Sequence, residues 1–188
     1  MKKIDEFVAS SDLQNEKRLI AIAPGTIWNT KRWLKEQFAA LARMLYQKGY
    51  AIVLIGGPED LVLCGQIQEL AGDAKIVNAS GRLPLLQSAE LLRRCRLLVS
   101  NDSAPMHLGV AMRTPVVAIF GATVPAFGFA PYGAHDVIVE TLGLPCRPCS
   151  IHGGEKCPIK TFVCMNNITA ERVCEEAMKI LTIVRRTY

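Results

Sequence analysis

The chain has 188 residues, half of them hydrophobic and only 6% aromatic, with a mean hydropathy of +0.21. These totals exclude global disorder, argue against an all-β sandwich and suit one α/β domain. The formal charge is +5, with basic clusters at Arg93, Arg94 and Arg96 and at Arg185 and Arg186. Such a balance fits a phosphate-rich ligand, an anionic membrane surface or simply a solvated helix face, while no basic–aromatic interleaving points to nucleic acid.

Residues 1–17 are polar and read as a tail or the remnant of a linker. They lack the apolar stretch of a signal peptide. "LIAIAP" (19–24) reads as a buried strand, followed by a helix over 33–48 with Leu34, Phe38, Leu41 and Leu45 at helical spacing and Gly49 as its stop. "YAIVLIGG" (50–57) is the next strand. A helix over 58–71 starts at Pro58, with Glu59 and Asp60 in its first turn. Then come a strand over 74–80, a helix over 83–95, a strand over 96–101, a short helix over 104–112 and a strand over 114–121. A further strand over 135–140 and a closing helix over 168–186 complete the order.

The uncharged run from Thr114 to Ala134 is broken by Pro115, Pro125, Pro131, Gly121, Gly128 and Gly133, so it does not read as a membrane helix. A cytoplasmic protein with reduced cysteines is the expectation. Strands without polar alternation between amphipathic helices indicate a doubly wound, Rossmann-like parallel sheet, with ligands beyond the strand carboxyl ends.

Four strand-to-helix turns therefore carry the chemistry. In "APGTIWNTKRW" (23–33), Gly25 admits close approach, Thr26 and Thr30 offer hydroxyls, and Lys31 and Arg32 bring positive charge to a helix start; a phosphate site or an ordinary capped helix would both use them. "IGGPED" (55–60) is neither G-x-G-x-x-G nor a Walker sequence, which disfavours a dehydrogenase-type dinucleotide domain. Glu59 or Asp60 there could accept ribose hydroxyls, or serve only the helix dipole. In "NASGRLPLLQSAE" (78–90), Leu83 could cover an adenine face, although a helix start at Pro84 explains the same residues. In "SNDSAPMHLG" (100–109), Ser103 suits an N-cap beside N–H groups fit for a diphosphate. Asp102 would repel that diphosphate and is left to sugar hydroxyls or to orienting Lys31. His107 either donates to phosphate or sits in the core, the commoner case by spacing alone.

"NDSAPMHLGVA", "PGTIWNTKRW" and "VAIFGATVPAFGFAPYG" resemble, in order and spacing, three motifs of glycosyltransferase family nine, the lipopolysaccharide heptosyltransferases. The resemblance spans about residues 18–186 and is closer to the type II enzymes. It implies the C-terminal, donor-binding half of a GT-B fold. It also implies metal-independent, inverting transfer of heptose from ADP-heptose to the lipopolysaccharide inner core, with no cofactor. Lys31 then matches the lysine on the donor phosphates and Thr26 a nearby hydroxyl position. Glu59 or Asp60 falls at the ribose acid, Leu83 at the adenine edge and Asp102 at the heptose contact. Ser103, Ala104 and His107 line the diphosphate. The family pattern places an acceptor domain and its general base in a further half. This chain therefore reads as an excised piece or a truncated reading frame, expected to be inactive alone and to meet its acceptor, at the inner face of the inner membrane, through that missing domain.

One segment stands apart. "CRPCSIHGGEKCPIKTFVC" holds Cys146, Cys149, Cys157 and Cys164 as C-x2-C-x7-C-x6-C, with His152 between. Four thiolates at such spacing would hold a structural metal, or they form a free-thiol or partly oxidised loop. The metal reading supports a rival function, a non-catalytic binding module built on this loop. Cys64, Cys95 and Cys174 read as packing residues.

Overall fold

The computed structural model describes residues 2–11, 13, 18–72 and 74–185. Six strands form one wholly parallel sheet: β1 (Leu19–Ala23), β2 (Ala51–Leu54), β3 (Ile76–Asn78), β4 (Leu97–Asn101), β5 (Val116–Phe120) and β6 (Val137–Glu140). Their spatial order is β3-β2-β1-β4-β5-β6. The helices are α1 (Lys2–Ser10), α2 (Lys35–Gln47), α3 (Leu61–Ala71), α4 (Leu85–Arg94), α5 (Ala104–Ala111), α6 (Val163–Asn166) and α7 (Ala170–Arg185).

Period-two alternation of the strand side chains feeds two cores. Ile20, Ile22, Ile52, Leu54, Val117 and Ile119 point to the face covered by α2, α3 and α7. Leu19, Ala21, Val53, Leu98, Val116 and Phe120 point to the face covered by α1, α4 and α5. Both sides of every central strand are therefore apolar, and the doubly wound architecture follows from burial on both faces.

The N-terminal segment departs from the expected tail. Ile4, Phe7 and Val8 recur at i, i+3 and i+4, and all three are buried on the face shared with α4. Asp5 pairs with Arg94 at 2.6 Å, and the Arg82 guanidinium lies 4.8 Å from the centre of the Phe7 ring. Arg93 and Arg94 are also both bound to Glu90, so these two members of the basic cluster are spent on neighbouring acids. The hydrogen bond from Arg93 leads in holding the Glu90 carboxyl down at about 2. Arg186 lies outside the described residues.

Two helix starts shift from their expected places. Residues 58–60 form a 3-10 turn, and the α-helix begins at Leu61. Trp33 lies outside α2, fully buried just before the extended Leu34 N-cap. Its backbone N–H donates to Asn101 Oδ1 (3.2 Å), and its indole N–H donates to the Ile168 carbonyl (2.9 Å). Those partners outcompete one more helical turn. α2 ends as expected, before Gly49 at φ +79°.

β1 and β4 are neighbours in register from Ile20↔Leu97 to Ala23↔Ser100, and the chain leaves them in opposite lateral directions. This is the topological switch point, where a doubly wound sheet opens a crevice. The fully buried Asn101 side chain laces the crevice's two walls together: Oδ1 accepts from Trp33, and Nδ2 donates to the Pro24 carbonyl at 2.8 Å. Replacing Asn101 with Ala leaves a buried N–H and a buried carbonyl unpaired. The expected loss is about 2–4 kcal/mol of stability, read from urea unfolding. A loss below about 0.5 kcal/mol would show that the lacing contributes nothing beyond an ordinary surface contact.

Candidate functional site

Beyond the carboxyl ends of β1, β2 and β4 lies one open cleft of about 1310 Å³. It gathers all four turns singled out in the sequence, and each of the nine candidate residues lines it.

The first turn brings Thr26 and Lys31. Residues 29–31 form a 3-10 turn, and the Arg32 guanidinium donates to the Thr26 carbonyl at 2.8 Å, tightening the loop around the cleft. Thr30, offered by the sequence as a second ligand hydroxyl, is instead buried and structural. Its Oγ1 accepts from the Gly154 N–H (2.8 Å), and its own N–H donates to the Gly154 carbonyl (3.0 Å).

Lys31 Nζ lies 2.8 Å from Asp102 Oδ2, with both side chains largely shielded from solvent. The same oxygen accepts a hydrogen bond from Thr123 Oγ1 at 2.7 Å. Oδ1 accepts no hydrogen bond among the described residues and is not shut off from solvent, and Asp102 lines the cleft. The carboxylate is thus divided: one oxygen is committed to the protein and the other is available. An ammonium carries three donors, so Lys31 also keeps capacity for a ligand while bound to Asp102.

The second turn separates Glu59 from Asp60. Asp60 is tucked against Gly25 and Gly56, where a methyl group on either glycine would collide with its carboxylate. Its Oδ2 accepts from the Gly57 N–H at 3.0 Å. Burial leads in raising its pKa above 3.8, aided by the Glu59 charge and opposed by the Gly57 hydrogen bond and Arg32. Asp60 is therefore occupied with the turn, while Glu59 is exposed on the rim.

At the third turn Leu83 is half-buried, packed against the core but still facing the cleft. At the fourth, Ser103 stands at the N-cap position of α5 in extended conformation. Its hydroxyl makes no cap hydrogen bond and turns toward the Asn101 carbonyl (3.4 Å), leaving the helix start uncapped. Ala104 and His107 are exposed on the cleft, so His107 is not the core histidine that spacing favoured. The core position on α5 belongs to Met106.

Sequence reasoning missed the loop between β6 and α6 as a wall of this site. Ile151 and His152 line the cleft. Gly153 passes so close to the Lys31 stem that a methyl group there would need the lysine to move. Thr123 and the loop's Arg147 were missed as supports. Sequence separation hid them, although Thr123 stands inside "VAIFGATVPAFGFAPYG", one of the three segments that carry the resemblance.

Within the same loop, Cys157 Sγ accepts from the Phe162 N–H at 3.4 Å, and Cys149 Sγ donates to the Cys146 carbonyl at 3.3 Å. Burial pushes the Cys157 thiol up, but backbone N–H groups from Phe162 and its neighbours outweigh it and bring the thiol below its ordinary value. Burial leads in raising Cys149, helped by Cys146 and Cys157. The four cysteines are free thiols. No group of three or more His, Cys, Asp or Glu side chains among the described residues is placed to hold a metal. Cys64, Cys95 and Cys174 are buried, as packing residues are.

The sequence model described as glycosyltransferase family 9 (heptosyltransferase) matches residues 3–158. The chain belongs to this family. Lipooligosaccharide heptosyltransferase 2 of Campylobacter jejuni is 28% identical over 173 residues, covering 90% of this chain and 54% of the relative. Among solved structures, the Escherichia coli ADP-heptose lipopolysaccharide heptosyltransferase II superposes with a TM-score of 0.79 at 26% identity, over 98% of this chain and 52% of that one. The family 9 glycosyltransferase of Veillonella parvula gives 0.79 at 30% identity, over 96% and 51%. The chain therefore spans about half the length of these relatives. Its fold is that of a Rossmann-like half of a GT-B glycosyltransferase. No described helix is long and apolar enough to cross a membrane.

The raised pKa of Asp60 gives the cleft a pH signature. The folded state holds this proton more tightly than the unfolded state, so the group's contribution is full below 3.8 and fades as pH climbs through the higher folded value. Asp60→Asn, which keeps an oxygen for the Gly57 N–H but cannot ionise, escapes that loss. Urea midpoints of wild type minus Asp60→Asn should fall as pH rises from 3.8 to neutral. A flat or rising difference contradicts the assignment.

Proposed function

We propose that this chain binds the donor of a lipopolysaccharide heptosyltransferase, ADP-heptose, and that it corresponds to the C-terminal half of the full enzyme. The observation that carries this reading is the Lys31–Asp102 pair at the switch point, beside the uncapped start of α5. Lys31, the helix dipole and the open N–H groups together stabilise a diphosphate, first as ligand and then as leaving group. Ser103, Ala104, Thr26 and His107 border that position. Asp102 presents Oδ1 to the sugar hydroxyls, and its charge is offset by Lys31, so it no longer repels the phosphates. Glu59 takes the ribose, since Asp60 is bound into its own turn, and Leu83 covers the adenine.

Inverting transfer at the anomeric carbon needs the acceptor hydroxyl to lose a proton while the diphosphate leaves from the opposite face. The cleft supplies the leaving-group side of that displacement without a metal. The base and the lipopolysaccharide core acceptor are assigned to the half of the relatives that this chain does not span, working at the cytoplasmic face of the membrane.

Calorimetry with ADP tests the reading directly. Wild type should bind, and Lys31→Ala should weaken ADP by about tenfold or more through loss of a charge-assisted contact, without unfolding. Asp102→Ala should hold ADP affinity within about threefold while impairing recognition of the sugar. Absence of binding at millimolar ADP by the folded protein, or equal ADP losses in the two variants, would overturn these roles.

A further inference from the structure

Thr123 is buried, 3% exposed, in the loop after β5. Its place is fixed from behind by the loop between β6 and α6. Arg147, with a side chain 5% exposed, donates to the Thr123 carbonyl (2.7 Å) and the Thr141 carbonyl (2.6 Å), and it pairs with Glu140 at 2.8 Å. The adjoining Ala122 carbonyl accepts from the Cys149 N–H at 2.9 Å. A β-branched side chain on so constrained a backbone has little rotamer freedom. Its one hydroxyl proton goes to Asp102 Oδ2.

This geometry does something that the Lys31 contact alone does not. A lone ammonium bridges either carboxylate oxygen equally well, so it leaves the carboxylate free to turn about its Cβ–Cγ bond. Lys31 and Thr123 arrive from different elements and converge on the same oxygen, which fixes that torsion and leaves Oδ1 toward the cleft.

We propose that Thr123 is a positioning residue for donor selectivity: by holding Oδ2 it aims Oδ1 of Asp102 at the sugar, and Arg147 holds Thr123 for that task. Thr123 touches neither nucleotide nor sugar. It acts through Asp102, so its loss is felt in sugar recognition and not in phosphate binding. The proposal rests on the donor-binding reading above, and its test separates the two.

The measured quantity is the ratio of the dissociation constants for ADP-heptose and ADP, obtained by calorimetry for each variant. Thr123→Val keeps the shape and removes the hydroxyl. It should shift the ratio against the sugar nucleotide by about tenfold, the scale of one hydrogen bond to a charged group, with ADP affinity unchanged within about threefold. Thr123→Ser, which restores the donor, should return the ratio to within about threefold of wild type. Thr123→Ala serves as a second hydroxyl deletion should the valine variant fail to fold. An unchanged ratio in the deletion variants, or parallel losses for both ligands, overturns the positioning role while wild-type ADP binding leaves the donor-site reading intact. No binding of either ligand by wild type defeats both.

Discussion

The site depends on one ion pair, Lys31 with Asp102, set where the sheet reverses its lateral direction. Two charges this shielded are costly to remove from water unless their remaining hydrogen-bonding capacity is met. The fold meets it on one side through Thr123 and leaves it unmet on the other, at Oδ1 and at the spare donors of Lys31. That imbalance is what suits the pair to the recognition role proposed for it as well as to a structural one. The strand order makes it possible: β1 and β4 are adjacent, so the 3-10 turn after one and the acid after the other meet at 2.8 Å although 71 positions separate them in the chain. Asn101 then fixes the distance between the two walls by bonding to backbone on both sides of Gly25–Arg32.

The cysteine-bearing loop acquires a role from the same pair. Near its start Arg147 braces Thr123 behind Asp102, and at its middle Gly153 and Gly154 close over Thr30 and the Lys31 stem. The loop thus grips the ion pair from both partners' sides. Two of its thiols are engaged by the loop's own backbone, Cys149 at the Cys146 carbonyl and Cys157 at the Phe162 N–H, so they tie the loop to itself while it grips the pair.

Much of this was legible in the sequence, for definable reasons. Strands buried on both faces read as unbroken apolar runs, so β1, β2, β4 and β5 could be found without any contact information, and the switch-point rule then pointed to the turns after them. α1 was missed although Ile4, Phe7 and Val8 carry a helical period, because the segment's polar composition outweighed a pattern only nine residues long. His107 was misjudged because spacing along α5 does not say which of its faces meets the core and which meets the cleft. Thr123 and Arg147 lie in loops whose placement is set by tertiary hydrogen bonds, and no local periodicity records such bonds.

The two adjacent acids of the second turn show how the protein divides work that sequence treats as equivalent. Asp60 lies between two glycines, binds the Gly57 N–H and has its charge disfavoured by burial. A carboxylate so enclosed shapes the turn, with Oδ2 committed to the Gly57 N–H. Glu59, one methylene longer and on the exposed rim, keeps both oxygens available. Asp102 shows the same division within a single side chain, one oxygen for the fold and one for the cleft. In both places the polar group that faces the ligand stands next to a polar group spent on holding it there. On the proposed donor-binding reading, affinity for a charged diphosphate comes from Lys31 and the helix start, while selectivity for the sugar rests on the aim of one oxygen. Substitutions that disturb the aim need not disturb the charge, so the two properties can vary independently on the same fold.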